Sequence, residues 1–147
     1  MNKKSDSLHV TIRTPQGFST ELNAKSIQVK TTKGPVTILK NHAPMIALLE
    51  PGKLKVIPEN SEKTPPKLLY IEQSGLIEVE RNTVTILADN GFYGQELDQE
   101  ALKASATELR NKLASNNTST LNATLKMLNE VNEKLRIVEE IRNEQTQ

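Results

Sequence analysis

The two histidines of the chain, His9 and His42, are the first candidates for catalysis or metal binding, since histidine is both a common acid–base group and the commonest metal ligand. A zinc site needs three or four ligands, and no acidic cluster that could complete such a shell lies near either histidine in the sequence. His9 alternates with apolar residues and is interpreted as a surface strand residue. His42 is interpreted as a loop residue that bonds to the backbone or meets a partner.

Carboxylates that share one face of a predicted element are the next candidates. Glu78 and Glu80 alternate along a strand pattern, while Asp98 and Glu100 stand at a predicted helix start, where the helix dipole stabilises negative charge. Both pairs therefore have structural explanations. The sequence also contains no Gly-rich loop ending in Lys-Ser/Thr, no H-E-x-x-H motif and no G-x-S-x-G motif. We therefore expect no catalytic residue, no metal and no cofactor.

The composition argues against two further classes of protein. The 147 residues carry 19 Lys and Arg against 18 Asp and Glu, and only 3% are aromatic, so neither a basic surface nor a stacking platform for nucleic acid is expected. Cysteine is absent, which excludes disulfides and thiolate chemistry. The sequence shows no signal peptide and no apolar run of about 18 residues, so we expect no direct membrane insertion.

The secondary structure that must position these residues is predicted to change near residue 95, because the spacing of the apolar residues changes there. From Leu8 to Leu87 apolar residues recur at every second position, which is typical of strands with one buried face. Turns rich in Gly, Pro and Asn separate these patterns, and Gly75 is read as one such break. Residues 1–93 are predicted to form an antiparallel β-sandwich or barrel. The polar stretch PENSEKTPP is predicted to be an exposed hairpin tip.

Residues 94–147 carry their apolar residues at helical spacing instead. Asp98 is predicted to cap a first helix, and Ser119 or Thr120 a second one after the break SNNTST. Because each apolar face needs a partner, the two helices are predicted to pair as an antiparallel hairpin. The first face consists of Leu102, Ala106, Leu109 and Leu113, and the second of Leu121, Leu125, Leu128, Val131, Leu135, Val138 and Ile141.

Three segments carry a family resemblance: ILKNHAPMIALLEPGKLKV, IEQSGLIEVERNTVTILAD, and GQELD followed by a helix. In order and spacing they resemble the epsilon subunit of F-type ATP synthases, which is called delta in mitochondria. The resemblance implies a non-catalytic subunit whose sandwich grips the gamma subunit and rests on the c ring. It also implies a hairpin that lies against the sandwich or extends to the alpha/beta catalytic head and restrains ATP hydrolysis.

The resemblance further implies a location and a contact loop. The location is peripheral, on the cytoplasmic face of the cell membrane, within the proton-translocating complex. Many members have an acidic residue directly before the glycine of this region, whereas this chain has Lys33 before Gly34. The residues that match the family's c-ring-facing region are Gly34, Asn41, His42 and Pro44.

Some members of the family bind ATP between the two helices, and this chain matches their motif only at Leu97 and Asp98. Ala101 and Leu102 stand where the motif has Arg-Ala, so a triphosphate would lose a charge-assisted partner and tight ATP binding is not expected. The main alternative function is a free-standing module that senses a small ligand by closing its hairpin. An unrecognised hydrolase is a third hypothesis.

Overall fold

The computed structural model describes residues 7–89, 91–93, 97–115 and 120–145, and the chain divides into two compact units, 1–92 and 93–147. The described residues up to 93 form nine strands: β1 Leu8–Arg13, β2 Ser19–Thr31, β3 Gly34–Leu39, β4 Met45–Leu49, β5 Gly52–Pro58, β6 Lys67–Ile71, β7 Gly75–Glu80, β8 Thr83–Ala88 and β9 Gly91–Tyr93. These strands form one hydrogen-bonded sheet in the order β1-β8-β7-β4-β2-β5-β6-β9, with β3 beside β2.

The long strand β2 joins the parts of this sheet. Ala24 pairs with Leu8 of β1 and with Pro58 of β5, while a register shift next to Ala24 lets the rest of β2 pair with β3 and β5. A bulge of this kind bends a strand and increases its twist. β2 therefore links the β1–β8–β7–β4 part of the sheet to the β5–β6–β9 part.

The alternating apolar residues of the sequence form the core, as predicted. β1 and β8 show the pattern most clearly, with Val10, Ile12, Val84 and Ile86 buried and the residues between them more exposed. A sheet that buries one face this completely needs a second layer over it, so the strands fold over one another as a β-sandwich. The prediction of the fold class is confirmed.

One pairing departs from the antiparallel prediction. β1 and β8 run parallel, with Val10 opposite Val84 and Ile12 opposite Ile86. Parallel neighbours need a long crossover between them, and most of the sandwich lies between β1 and β8 in the chain. Strand patterns in a sequence carry no direction, so periodicity could not reveal this pair.

Two strands, β4 and β6, lie in runs of consecutive apolar residues that alternation alone does not assign. In β6, Leu68, Leu69, Tyr70 and Ile71 are all buried, so both faces of this strand are covered. The predicted hairpin tip between β5 and β6 is largely exposed, as expected for its polar composition.

The second unit is a pair of packed helices, α1 Gln99–Ala114 and α2 Leu121–Gln145. A hydrogen bond from Arg142 to Gln99 joins the end of α2 to the start of α1, which confirms the antiparallel hairpin. On α1, Ala106 and Leu109 are buried as predicted. α2 begins directly after Thr120, and the alternative cap, Ser119, lies outside the described residues.

The predicted apolar face of α2 is wrong at its start. Leu121 and Leu125 are about 40% exposed, whereas Thr124 and Ile137 are buried. The Thr124 hydroxyl donates to the Thr120 carbonyl at 2.9 Å, so this polar group is satisfied inside the helix. Successive helical residues point about 100° apart, so burying Thr124 turns Leu125 away.

Candidate docking surfaces

The loop between β3 and β4 holds the histidine that first suggested chemistry. The His42 amide donates to the Leu39 carbonyl at 3.1 Å, and its ring Nδ1 lies 2.7 Å from the Ala43 carbonyl. Asn41 adopts a left-handed conformation, with φ of 64°, which Asn tolerates better than most residues. The histidine thus closes a tight turn and leaves Ala43 and Pro44 exposed at its tip.

The β7–β8 turn braces this loop from the side. The Asn41 amide donates to the Asn82 side-chain oxygen at 2.7 Å, and the Asn82 amide group lies 3.4 Å from the Asn41 side-chain oxygen. Arg81 and Asn82 both have positive φ, which defines a two-residue type I′ hairpin turn. The pair fixes the loop to a rigid turn, although Asn41 and Asn82 are 41 positions apart in the chain.

The structure does not bring all four residues of the predicted c-ring-facing region together. Asn41, His42 and Pro44 follow the end of β3, whereas Gly34 begins that strand. A six-residue strand places its ends about 17 Å apart. Gly34 belongs instead to the β2–β3 turn, where its φ of 118° suits glycine and its carbonyl accepts from the Thr31 hydroxyl at 2.7 Å.

His9, the second histidine, lies near this loop on β1 and is held by two oxygens. Its Nε2 is 2.7 Å from a Glu21 carboxylate oxygen, and its Nδ1 is 3.3 Å from the Asn23 side-chain oxygen. Because both ring nitrogens face acceptors, the protonated ring is favoured, and these bonds, the Glu21 bond first, raise the pKa of His9.

We predict a pH-dependent contribution to stability from this pair. A raised pKa in the folded state stabilises the fold at pH values below the usual histidine pKa of about 6.5, and the contribution is lost as pH rises through the folded value. Since both side chains are about half exposed, its size should stay below about 1 kcal/mol. NMR titration of His9 should show a pKa that falls in Glu21→Gln, and an unchanged value would contradict the assignment.

An apolar row crosses the outward face of three neighbouring strands. Leu48 of β4 pairs with Leu76 of β7, and Leu76 pairs with Leu87 of β8. Ile46, two residues before Leu48, lies on the same face. Ile46, Leu48 and Leu87 are 71%, 60% and 48% exposed. We call these four residues the apolar row.

The apolar row could not be predicted, because the sequence does not distinguish a leucine on the exposed face of a strand from a leucine on the buried face. The only signal was the run MIALL in β4, in which both faces of a strand must be apolar. A contiguous exposed apolar patch on a folded protein commonly marks a surface that another protein covers.

In the helical unit, Asp98 has the capping role predicted for it. One oxygen of its carboxylate accepts from the amides of Glu100 and Ala101 at 3.0 and 3.3 Å. Leu97 beside it is half-buried. The carboxylate is therefore engaged by the first turn of α1.

Replacing Asp98 with Ala should destabilise the helical unit by about 1 kcal/mol, because two amides lose their acceptor. Asp98→Asn keeps a capping oxygen and serves as the control. Amide hydrogen exchange of the first turn of α1 measures the effect. Equal exchange in both variants would show that the cap contributes nothing.

In the part of the chain that the structure describes, no group of three or more His, Asp or Glu side chains is arranged to hold a metal ion. Among the same residues, neither helix has the length and hydropathy needed to cross a membrane.

The fold defines a β-sandwich protein that carries a helical hairpin and exposes an apolar row. The family model of the ATP synthase delta/epsilon chain β-sandwich domain matches residues 7–93. An ATP synthase epsilon chain of Chloroflexus aggregans is 35% identical over 101 residues, which cover 69% of each chain. One from Acinetobacter baylyi is 33% identical over 112 residues, or 75% of this chain and 77% of the relative. The chain belongs to the delta/epsilon chain family of ATP synthase.

Two solved structures share the fold at low sequence identity. A chain in the cryo-EM structure of the Euglena gracilis mitochondrial ATP synthase with its c-ring aligns with a TM-score of 0.68 at 20% identity, covering 97% of this chain and 83% of that one. A chain in the cryo-EM structure of the Tetrahymena thermophila mitochondrial ATP synthase central stalk and c-ring aligns with a TM-score of 0.53 at 22% identity. The alignment covers 86% of this chain and 99% of that one. The family assignment replaces the hypotheses of a free-standing ligand sensor and of a hydrolase.

Proposed function

We propose that this chain is a non-catalytic subunit of the ATP synthase central stalk and couples rotation of the c ring to the catalytic head. Membership of the delta/epsilon family supports this role, and the two structural neighbours belong to assemblies that contain a c-ring. The enzyme itself would be proton-translocating, and this subunit would lie at its periphery on the cytoplasmic face of the cell membrane.

The apolar row carries the proposal, because it is the surface on which the gamma subunit would dock. Burying an exposed leucine-sized side chain stabilises a complex by about 1.5–3 kcal/mol, and the row offers three such exposed side chains. Leu48, Leu76 and Leu87 are joined by direct strand pairing, so the surface is rigid before it binds. A stiff, preorganised surface suits a part that must transmit torque.

The c ring would contact the loop at Asn41, His42 and Pro44. The exposed tip at Ala43 and Pro44 and the Asn41–Asn82 brace support this assignment, since a braced loop transmits force better than a free one. Gly34 stays a separate prediction, because it begins β3 and the loop follows the end of that strand.

The helical hairpin would act as a brake on ATP hydrolysis by extending to the alpha/beta head. Its independent packing as a compact unit supports a part that moves as one body. A nucleotide is not proposed between the helices, since Asp98 is engaged as a cap and Ala101 offers no cation.

Co-purification of the tagged full chain from its native membranes tests the proposal. We expect recovery of the alpha, beta and gamma subunits together with the c ring. A chain that emerges alone would contradict membership of the stalk. Complexes with a chain that ends at Asp98 should hydrolyse ATP faster than those with the full chain. Equal rates would contradict the inhibitory role of the hairpin but not the coupling role of the subunit.

A further inference from the structure

A cleft of about 640 Å³ opens where β1, the β3–β4 loop and the β7–β8 turn meet. His9, Lys40 and Arg81 line it, one from each of these segments, and none of its described lining residues is acidic. The whole chain has nearly balanced charge, with 19 Lys and Arg against 18 Asp and Glu. Lys40 and Arg81 therefore place two positive charges on the cleft, whereas the His9 ring is paired with Glu21.

Asn82 holds the walls of this cleft in place. Its side-chain oxygen accepts from the Asn41 amide at 2.7 Å, and its backbone carbonyl accepts from the His9 amide at 2.8 Å. One residue thus ties the β7–β8 turn to both other segments. A site whose walls are fixed beforehand loses less entropy when a ligand binds.

The donors in the cleft suit an oxyanion. Arg81 has a 91% exposed side chain, and its Nε lies 4.0 Å from Glu80, which leaves most of its planar set of donors open to a ligand. Ser7 and Thr83 also line the cleft. Guanidinium and ammonium groups together match the several oxygens of a phosphate group.

Carboxylates next to Arg81 make only the larger of two neighbouring clefts suitable for an anion. Glu78 and Glu80 line a smaller cleft of about 290 Å³ that shares Arg81 and Thr83 with the first, and Glu21 is paired with His9. An anion would be repelled from the smaller cleft. Binding in the larger cleft should be moderate, because these carboxylates offset part of the positive charge.

We propose that the cleft formed by His9, Lys40 and Arg81 binds a phosphate group. Two sources carry this chemistry, a free phosphate and the head group of an anionic phospholipid. The site is argued from the isolated chain and does not depend on contact with the c ring.

The test is titration of the isotope-labelled full chain with inorganic phosphate, followed by NMR at constant ionic strength. Amides of His9, Asn82 and Thr83 should shift together. R81Q/K40Q should weaken binding about tenfold, since it removes two charge-assisted donors. R13Q/K63Q removes the same charge from exposed residues outside the cleft and should change binding less than about twofold. Dispersed spectra confirm that both variants are folded.

Sedimentation with phosphatidylcholine vesicles, with and without phosphatidylglycerol, distinguishes the two sources. Binding to the anionic vesicles alone, lost in R81Q/K40Q, would identify a lipid head group. Phosphate binding without vesicle binding would identify a free phosphate. The proposal is overturned if neither probe binds, or if both double variants lose binding equally, since that would be general charge screening. Because no other subunit is present, either result is independent of the coupling role.

Discussion

Replacing Leu48 with Asp is expected to weaken docking to the gamma subunit by about two orders of magnitude. The side chain is 60% exposed in the isolated chain, so the fold should tolerate a carboxylate there. In the docked state the variant would lose about 1.5–3 kcal/mol of apolar burial and would also place a charge in a dry contact. Calorimetry with a purified alpha/beta/gamma complex measures the difference, since each tenfold change corresponds to about 1.4 kcal/mol.

The matched control is Gln28→Asp, which introduces the same charge at an exposed position on β2 and should bind as the unmodified chain does. Ile46→Asp, at a 71% exposed position of the apolar row, should reproduce the loss. Tight binding by both apolar-row variants would place the gamma contact elsewhere on the sandwich. Their thermal unfolding should match that of the unmodified chain, which separates docking from folding.

Gly75→Ala should destabilise the sandwich by about 2 kcal/mol. A Cβ atom at this position would lie 2.8 Å from the Leu87 carbonyl oxygen and 3.3 Å from a Leu49 methyl group. The first contact is with backbone, so the β7–β8 pair must separate to accept it, and overpacking of this kind typically costs about 1–3 kcal/mol. Urea unfolding of the full chain gives the free energy directly.

Gly34→Ala is the informative comparison for Gly75→Ala. At Gly34 no atom lies within 4 Å of the added Cβ, but φ is 118°, so any loss comes from backbone strain alone. Such strain costs about 1–3 kcal/mol. A neutral Gly75→Ala variant would show that β7 and β8 adjust freely and that the close contact is not a constraint.

Several local features of this chain could be predicted because their causes are local. Alternation of Val10 and Ile12 assigns β1, and the Asp98 cap follows from the free amides of a helix start. The antiparallel hairpin follows from two apolar faces that need each other. The predicted buried face of α2 was wrong at Leu121 and Leu125, which are exposed. The spacing of apolar residues alone does not determine which of two adjacent helix faces is buried.

The candidate surfaces were harder to predict because each joins distant parts of the chain. Gly75 was predicted to mark a turn, yet a Cβ atom at this position would lie closest to the carbonyl oxygen of Leu87 on the next strand. The brace on the β3–β4 loop pairs Asn41 with Asn82, and neither residue indicates the other in the sequence. Leu48, Leu76 and Leu87 become neighbours only through strand pairing.

The sequence by itself determined the two-part architecture, the secondary structure with the clearest periodicity, and the family to which the chain belongs. These depend on residue type and spacing along the chain. Only the tertiary structure decided that β1 and β8 run parallel, that Gly34 is separated from the His42 loop, and that an apolar row lies outward. The physical reason is that strand periodicity specifies alternation between two faces, whereas direction, neighbours and the choice of outward face are set by packing across the whole sheet.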